Sequence, residues 1–413
     1  MILNKHYEVG RTEIQLSVLI ARGANLAVFR TTPGREIDVS KSKNAIMEEA
    51  KENGPRWIGG VEPPTALLTA TGIQILEIEC REQPGRLREL IHAYRNDSEI
   101  RAELMKLRQL ARREGPVLFI GMGASYCSSF SASVLLESHG RLSFSADAGE
   151  WLHYAQPAWK DTAVSMLLTA SGESAELVEL FRAGTNIPLG LICNNTNSAC
   201  WRLAEHRLPV LAGPEYGNAT KTYTNTAAAA IVLASEMLEL PWQEDAERAV
   251  EVYACSLDRI FALRDALEGF CRGAANIEII GRGAAYGGAM MSALCIREMS
   301  GFRAAAHTGA GFKHGPNLDV DGTHVAIIFA VGRATSLGFK LSDECIRRGG
   351  KVVLVSAEDR PAAEQLLPIR VDAVPEPWEG ISALLVPQAL TLAMVERNGC
   401  RLPPRFQYGP MEQ

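Results

Sequence analysis

One short part of the sequence carries both an acid and a base. Glu298 lies in the run 286–300, whose pattern predicts a helix, and His314 follows in the glycine-rich segment 309–316. A carboxylate and an imidazole together can move protons between carbon and oxygen atoms of a sugar. In isolation, each residue also fits an ordinary surface or core role. The pair is therefore a hypothesis for proton-transfer chemistry.

Two loops of small and hydroxyl-bearing residues have the composition of an anion site. Gly121-Met-Gly-Ala-Ser125 follows an apolar strand and opens a helix, and Thr169-Ala-Ser-Gly-Glu-Ser174 follows the next strand. Glycines let backbone amides approach an anion, and a helix N-terminus adds partial positive charge. Helix capping alone is the competing interpretation. Because two such loops follow adjacent strands, we predict a phosphate site.

Several segments occur twice at an offset of about 160 residues, which indicates a duplicated unit. The matching segments are 117–125 and 277–285, 167–174 and 327–334, and 189–194 and 352–357. Buried apolar strands alternate with helical patterns in each unit. This predicts an α/β fold of two tandem domains, each a doubly wound parallel sheet flanked by helices. Because the second copy lacks the hydroxyls, we expect phosphate to bind the first unit.

Around these strands, the pattern predicts a lead-in helix pair over 76–114 and seven further helices. Those are expected at 126–138, 174–184, 223–239, 245–270, 286–300, 337–348 and 380–398. We expect a first domain over 76–240 and a second over 241–413, which includes a C-terminal tail. Residues 1–75 form an extension with a predicted hairpin and a Gly/Pro-rich linker at 59–64. A structural flap or oligomer arm is the preferred interpretation of that extension.

Composition excludes some classes of function. The chain has 413 residues, a net charge of −6 and no basic block, so we do not expect nucleic-acid binding. It has no 18-residue apolar run and no signal-peptide pattern, so we expect a cytoplasmic protein that does not bind membranes. The nine cysteines show no metal-binding spacing, which predicts free thiols, no metal and no cofactor.

The order Arg297-Glu-Met-Ser300 followed by Lys313-His-Gly-Pro316 resembles a known family. It is similar to the second sugar-isomerase (SIS) domain of glucosamine-6-phosphate synthase and of the related sugar-phosphate deglycases. The resemblance implies that Glu298 moves a proton between the first two sugar carbons, and that His314 assists ring opening. It also implies a homodimer in which His314 comes from the neighbouring subunit.

The two anion loops resemble the phosphate loops of the same family. By motif position, the residues that would bind phosphate are Gly123, Ser125, Thr169, Ser171 and Ser174, while Ala170 replaces the family's glutamine. Weaker matches to the family's motifs add Glu150 and Lys221 as substrate-binding residues, although Lys221 suits a helix start equally well. Lys313 lies beside the site and could simply balance charge.

Two departures from the family bear on the reaction. Position 2 is Ile and residues 1–75 are too few for a glutaminase domain, so we expect no ammonia from glutamine. The tail 401–410 lacks the lysine with which the synthase forms an imine, and arginine is too poor a nucleophile to replace it. These departures favour a deglycase that acts on a 6-phosphorylated ketoamine or amino sugar. An aldose–ketose sugar-phosphate isomerase, with free ammonia or none, and a non-catalytic sugar-phosphate sensor are the alternatives.

Overall fold

The computed structural model describes the backbone of residues 2–9, 12–21 and 24–31, and then residues 72–183, 188–216 and 218–398. The linker 59–64 and the tail 401–410 lie outside these residues. Strands Ile2–Val9 (β1), Thr12–Ala21 (β2) and Ala24–Thr31 (β3) form an antiparallel sheet in a compact unit of their own. Ala21 pairs with Ala24, where the sequence predicts a hairpin.

Five parallel strands form the first sheet, in the order β5-β4-β6-β7-β8. Their bounds are Val117–Gly121 (β4), Ser143–Asp147 (β5), Val164–Thr169 (β6), Leu189–Cys193 (β7) and His206–Pro209 (β8). The three central strands are buried along their whole length because helices cover both faces of the sheet. The two edge strands are partly exposed and polar, so no apolar run marks them in the sequence.

A second parallel sheet repeats this arrangement, in the order β10-β9-β11-β12-β13. Its strands are Asn276–Gly281 (β9), Ala304–Thr308 (β10), His324–Ala330 (β11), Lys351–Ser356 (β12) and Leu366–Arg370 (β13). The strand orders of the two sheets are identical after a shift of five strands. The tandem α/β duplication predicted from the sequence is therefore confirmed.

Helices connect the strands of each sheet. In the first half they are Gly72–Asn96 (α1), Ser98–Ala111 (α2), Ala124–Ser138 (α3), Ala148–Glu150 (α4), Ala175–Ala183 (α5), Ala199–Leu203 (α6) and Lys221–Met237 (α7). In the second half they are Gln243–Phe261 (α8), Arg264–Cys271 (α9), Ala284–Ser300 (α10), Gly309–Lys313 (α11), Thr335–Arg347 (α12), Glu379–Ser382 (α13) and Leu385–Arg397 (α14).

Three predicted helical segments are interrupted. The helix predicted over 245–270 is two helices, α8 and α9, and the one predicted over 380–398 is α13 and α14. The amphipathic run in the lead-in segment breaks at Asp97, whose carboxylate accepts the N–H groups of Glu99 and Ile100. An Asp in this role is a strong helix N-cap, so a new helix begins there although the apolar pattern continues.

Helix α1 continues through Pro84. Proline has no N–H, so the carbonyl of Cys80 loses its usual helical donor. Gln83 Nε2 donates to that carbonyl at 2.9 Å. The same amide exchanges hydrogen bonds with Gln388 on α14, at 3.1 and 3.2 Å. The lead-in helix is therefore tied to the C-terminal helix of the second half.

The helices that follow the first strand of each sheet, α3 and α10, pack closely against each other. A Cβ at Gly287 would lie 2.6 Å from the Cys127 carbonyl oxygen and 3.0 Å from the Cβ of Phe130, so glycine allows this close approach. Gly283 lies nearest to Val134. Because higher residue numbers on α10 face lower numbers on α3, the two helices run antiparallel.

Helix α7 has an alanine-rich sequence and lies between layers. Its residues from Lys221 to Ser235 are buried, and it packs against α1, α2 and α3.

Helix α14 belongs to the only stretch of the described residues, Glu376–Arg397, that is long and apolar enough to cross a membrane. That stretch is 94% buried inside the protein, which is typical of a core helix. The eight described cysteines are free, as predicted, and all except Cys255 are buried.

Candidate functional site

The first anion loop joins β4 to α3 at the carboxyl edge of the first sheet. Gly123 has φ +53° and precedes the first residue of α3, and no side chain caps its N-terminal amides. A Cβ at Gly121 would lie 2.8 Å from the backbone of Ser125, so the turn requires glycine there. The loop therefore places the N-terminus of α3, which no side chain caps, next to the partly buried Ser125, and such an arrangement can bind an anion.

The second anion loop follows β6, the neighbour of β4 in the sheet. The hydroxyl oxygen of Thr169 accepts the N–H of Gly172 at 3.0 Å, and that of Ser171 accepts the N–H of Glu173 at 3.3 Å. Each hydroxyl keeps its own hydrogen available to donate. Ser174 is partly buried and precedes α5. The structure thus brings the predicted phosphate residues of both loops to one edge of one sheet.

The two softer candidates have different surroundings. Glu150 is exposed, three residues after β5, and β5 pairs with β4 so that Asp147 lies opposite Gly121. It therefore lies at the same edge of the sheet as the anion loops. Lys221 is buried at the first position of α7, where its ammonium pairs with the carboxylate of Glu82 on α1. Lys221 therefore begins a helix, which is one of the two roles suggested for it from the sequence. A contact between Lys221 and a substrate stays a prediction.

Glu298 lies in the last turn of α10 and is partly buried. Since α10 and α3 are antiparallel, this last turn is directed towards the start of α3, where the first anion loop lies. Burial, with a smaller contribution from the Glu298 carboxylate, raises the pKa of Cys127 to about 12. Cys127 belongs to the first turn of α3, so the Glu298 carboxylate is within electrostatic range of that turn.

His314 is exposed and directly follows α11. Helix α10 starts after the carboxyl end of β9 and ends just before β10 begins, so Glu298 lies at the amino edge of the second sheet. Helix α11 and His314 follow the carboxyl end of β10. The five residues of β10 span about 16 Å at about 3.3 Å per residue. The structure therefore does not bring Glu298 and His314 of one chain together.

The corresponding loops of the second sheet are built differently. Gly283 has φ +55° and begins α10 in the way that Gly123 begins α3. The loop after β11 lacks the hydroxyl residues, and Gly332 lies close to the buried carboxyl group of Glu379. Burial raises the pKa of Glu379 to about 8, and the negative charge of Glu376 contributes to the same shift. The loop after β11 thus lacks the hydroxyl donors of Thr169, Ser171 and Ser174 that the loop after β6 offers to a phosphate.

The structure also identifies residues that sequence analysis missed. Glu82 pairs with Lys221 from 139 positions away, and Glu344 pairs with Lys313 at 2.9 Å. No local pattern marks either glutamate, since each lies on an ordinary amphipathic helix. Among the described residues, no group of three or more His, Cys, Asp or Glu side chains could hold a metal ion.

Comparison with known proteins agrees with this architecture. Residues 272–396 match the SIS domain family. This part of the chain is an SIS domain. It has homology to the isomerase domain of glutamine–fructose-6-phosphate aminotransferases, and the match extends beyond it. The protein of Zymomonas mobilis is 28% identical over 324 residues, which are 72% of this chain and 53% of that protein. The Thermotoga maritima protein is 27% identical over 312 residues, 70% of this chain and 50% of that protein.

Solved SIS-domain structures share the fold. The C-terminal domain of glucosamine-fructose-6-phosphate aminotransferase from Francisella tularensis superimposes with a TM-score of 0.70 at 22% identity, covering 79% of this chain and 97% of that one. Tagatose-6-phosphate ketose/aldose isomerase from Escherichia coli gives 0.64 at 19% identity, covering 82% and 95%. The chain spans about half the length of the curated relatives it matches. Among the residues that the structure describes, no glutaminase domain is evident.

Proposed function

We propose that this protein is a phosphosugar-processing enzyme, a deglycase or isomerase that acts on a 6-phosphorylated ketoamine or amino sugar. The observation that supports this most directly is the antiparallel packing of α3 and α10. It directs Glu298, from the second half of the chain, towards the anion loop of the first half. A substrate held there by its phosphate would extend its reactive carbons towards a carboxylate.

In this proposal the first sheet binds the phosphate. The uncapped amides at the start of α3 and the hydroxyls of Ser125, Thr169, Ser171 and Ser174 donate hydrogen bonds to its oxygens. Neutral donors suit a phosphomonoester that must be released after each turnover. Glu150 and Lys221 would contact the sugar from the same edge of the sheet. A cytosolic location suits the free thiols, which persist in a reducing compartment.

The chemistry assigned to Glu298 is proton transfer between C1 and C2. A base removes a proton from C1 of the ketoamine while the C2 carbonyl oxygen gains one, which gives an enolamine. The C1 proton then returns at C2 as the nitrogen gives up its own proton. The resulting C1–N imine is hydrolysed by water to hexose 6-phosphate and the free amine. His314 assists ring opening and the departure of the amine. Because the substrate already carries nitrogen, this route does not need a lysine to form an imine.

We further propose that the active site is shared between two subunits of a homodimer. Glu298 and His314 of one chain lie at opposite edges of the second sheet, and His314 is exposed. A His314 supplied by the partner would complete the constellation without any rearrangement of either chain. A symmetric dimer would then contain two such sites.

A plain aldose–ketose isomerase is the second candidate, because one of the solved neighbours is a tagatose-6-phosphate ketose/aldose isomerase. The two candidates use the same proton transfer and differ in substrate. Incubation of the protein with fructosyl-amino-acid 6-phosphates, and separately with fructose 6-phosphate with and without ammonia, separates them. Formation of hexose 6-phosphate only from the ketoamine supports the deglycase, and turnover of the ketose alone supports the isomerase. Binding without any turnover would contradict both and favour a sensor.

Replacement of the carboxylate tests the residue assignment. We expect Glu298→Gln to abolish turnover and to keep phosphosugar binding, since the amide cannot accept a proton from carbon. Glu137→Gln is the matched control, because Glu137 lies in the last turn of α3, at the end away from the anion loop. Retained turnover in Glu298→Gln would remove this residue from the mechanism.

A further inference from the structure

Glu344 contacts the chain on both sides of His314. It lies on α12, and its Oε2 is 2.9 Å from the Nζ of Lys313, the residue before His314. Its Oε1 accepts the side-chain N–H of Asn317, three residues after His314, at 2.8 Å. One carboxylate therefore fastens the chain immediately before and shortly after the imidazole.

Other contacts fix the start of the same segment. The hydroxyl of Thr308 accepts the N–H of Gly311 at 3.0 Å and caps α11. Phe312 is fully buried in the core of the second sheet, and its ring lies 5.7 Å from that of His307. His307 Nε2 is in turn 2.6 Å from the carboxylate of Glu278 on β9. The backbone on the amino side of His314 is therefore anchored in the core.

The environment of Glu344 keeps its carboxylate ionised. Hydrogen bonds from Lys313 and Asn317 lower its pKa, and Arg348 adds a smaller electrostatic contribution. Asn317 is buried, whereas His314 between these two contacts is exposed. An exposed imidazole directly after a five-residue helix would otherwise sample many orientations, and ordering it costs conformational entropy. The Glu344 contacts supply that order in advance of catalysis.

We propose that Glu344 is a positioning residue for His314. It does not touch the substrate and acts through Lys313 and Asn317, which set the direction in which the imidazole is presented. This inference rests on the proposed function of His314. It assigns to Lys313 a role in holding the loop rather than in balancing the charge of a ligand.

The first test is the variant Glu344→Gln, which keeps a partner for Asn317 and removes the charge that holds Lys313. We expect kcat to fall by about 10- to 100-fold with KM nearly unchanged, because the phosphate loops lie on the other sheet. The matched control is Asp343→Asn. Asp343 lies next to Glu344 on α12, and its replacement breaks an exposed ion pair with Arg360. The control should keep the wild-type kcat.

A double-mutant cycle separates positioning from general damage to the fold. In a His314→Ala background, Glu344→Gln should cause no further loss of kcat, because its effect passes through the imidazole. An equal loss in both backgrounds, or wild-type kcat in Glu344→Gln, would overturn the proposal. If His314→Ala itself is fully active, the proposed function of His314 is what fails.

Hydrogen exchange gives a readout that does not depend on turnover. Backbone amides of residues 308–318 should exchange faster in Glu344→Gln than in Asp343→Asn, with the rest of the second half unchanged. Unchanged exchange in this segment would show that Glu344 does not anchor it, whatever reaction the enzyme catalyses.

Discussion

Glu298 and His314 of one chain lie at opposite edges of the second sheet, about the length of strand β10 apart. Both belong to the segment whose residue types indicated acid–base chemistry. Their separation in sequence is short, yet the strand between them carries His314 away from Glu298. This separation is the reason for proposing that proton transfer with both residues takes place between two chains.

Mixed dimers test this directly. As homodimers, Glu298→Gln is expected to be inactive and His314→Ala to keep only a small residual turnover, because every site lacks one group. Random mixing makes half of the dimers hybrid, and each hybrid has one intact site, so we expect about a quarter of wild-type activity. The measurement is turnover after the two variants are unfolded and refolded together. Activity no higher than that of the separate variants would contradict a shared site.

Ser171→Ala is expected to raise KM for the phosphosugar by about tenfold with little change in kcat. A hydrogen bond to a charged group contributes about 1.5 kcal/mol, and this one is made equally in substrate and transition state. Thr335→Ala, at the first position of α12, is the control, since its hydroxyl donates to the backbone carbonyls of Ala330 and Gly332. A similar rise in KM for both variants would argue against phosphate binding at the first sheet alone.

Gly172→Ala is expected to lower the free energy of unfolding by about 2–4 kcal/mol. Gly172 has φ +67°, and a Cβ there would lie 2.0 Å from the hydroxyl oxygen of the buried Ser198. Backbone strain contributes about 1 kcal/mol and crowding the rest. Gly140→Ala isolates the strain, because Gly140 has φ +79° with nothing within 4 Å of its Cβ position. Chemical denaturation measures the free energy of unfolding of both variants. Equal losses would contradict crowding between the added Cβ and Ser198.

Glu379→Gln is expected to change how stability depends on pH. The pKa of Glu379 is raised to about 8 in the folded protein, so between the ordinary carboxyl pKa and pH 8 the folded state holds a proton that the unfolded state has lost. Stability of the wild type therefore falls as pH rises through this window.

The variant lacks this titration. Its free energy of unfolding, relative to that of the wild type, should therefore rise by on the order of 3 kcal/mol between pH 5 and pH 9. Denaturation at both pH values measures the difference, with the exposed Glu364→Gln as control. A constant difference between variant and wild type across this range would show that Glu379 does not titrate as described.

Much of the fold could be predicted from local patterns. The central strands of both sheets are short apolar runs, and burial on both faces produces that pattern. The edge strands β5 and β10 are partly exposed, so they lack it. The break at Asp97 has a local cause as well, but the apolar pattern runs across it and concealed the cap.

The sequence by itself determined the residue types of the candidate site: glycines and hydroxyls in two loops, a carboxylate on a helix and an imidazole on a loop. Only the tertiary structure decided that Glu298 faces the start of α3, that His314 does not reach it in the same chain, and that Glu344 holds Lys313. The physical reason is that local conformation depends on neighbouring residues. Contacts such as that between Gly287 and Cys127, by contrast, depend on how helices distant in sequence pack.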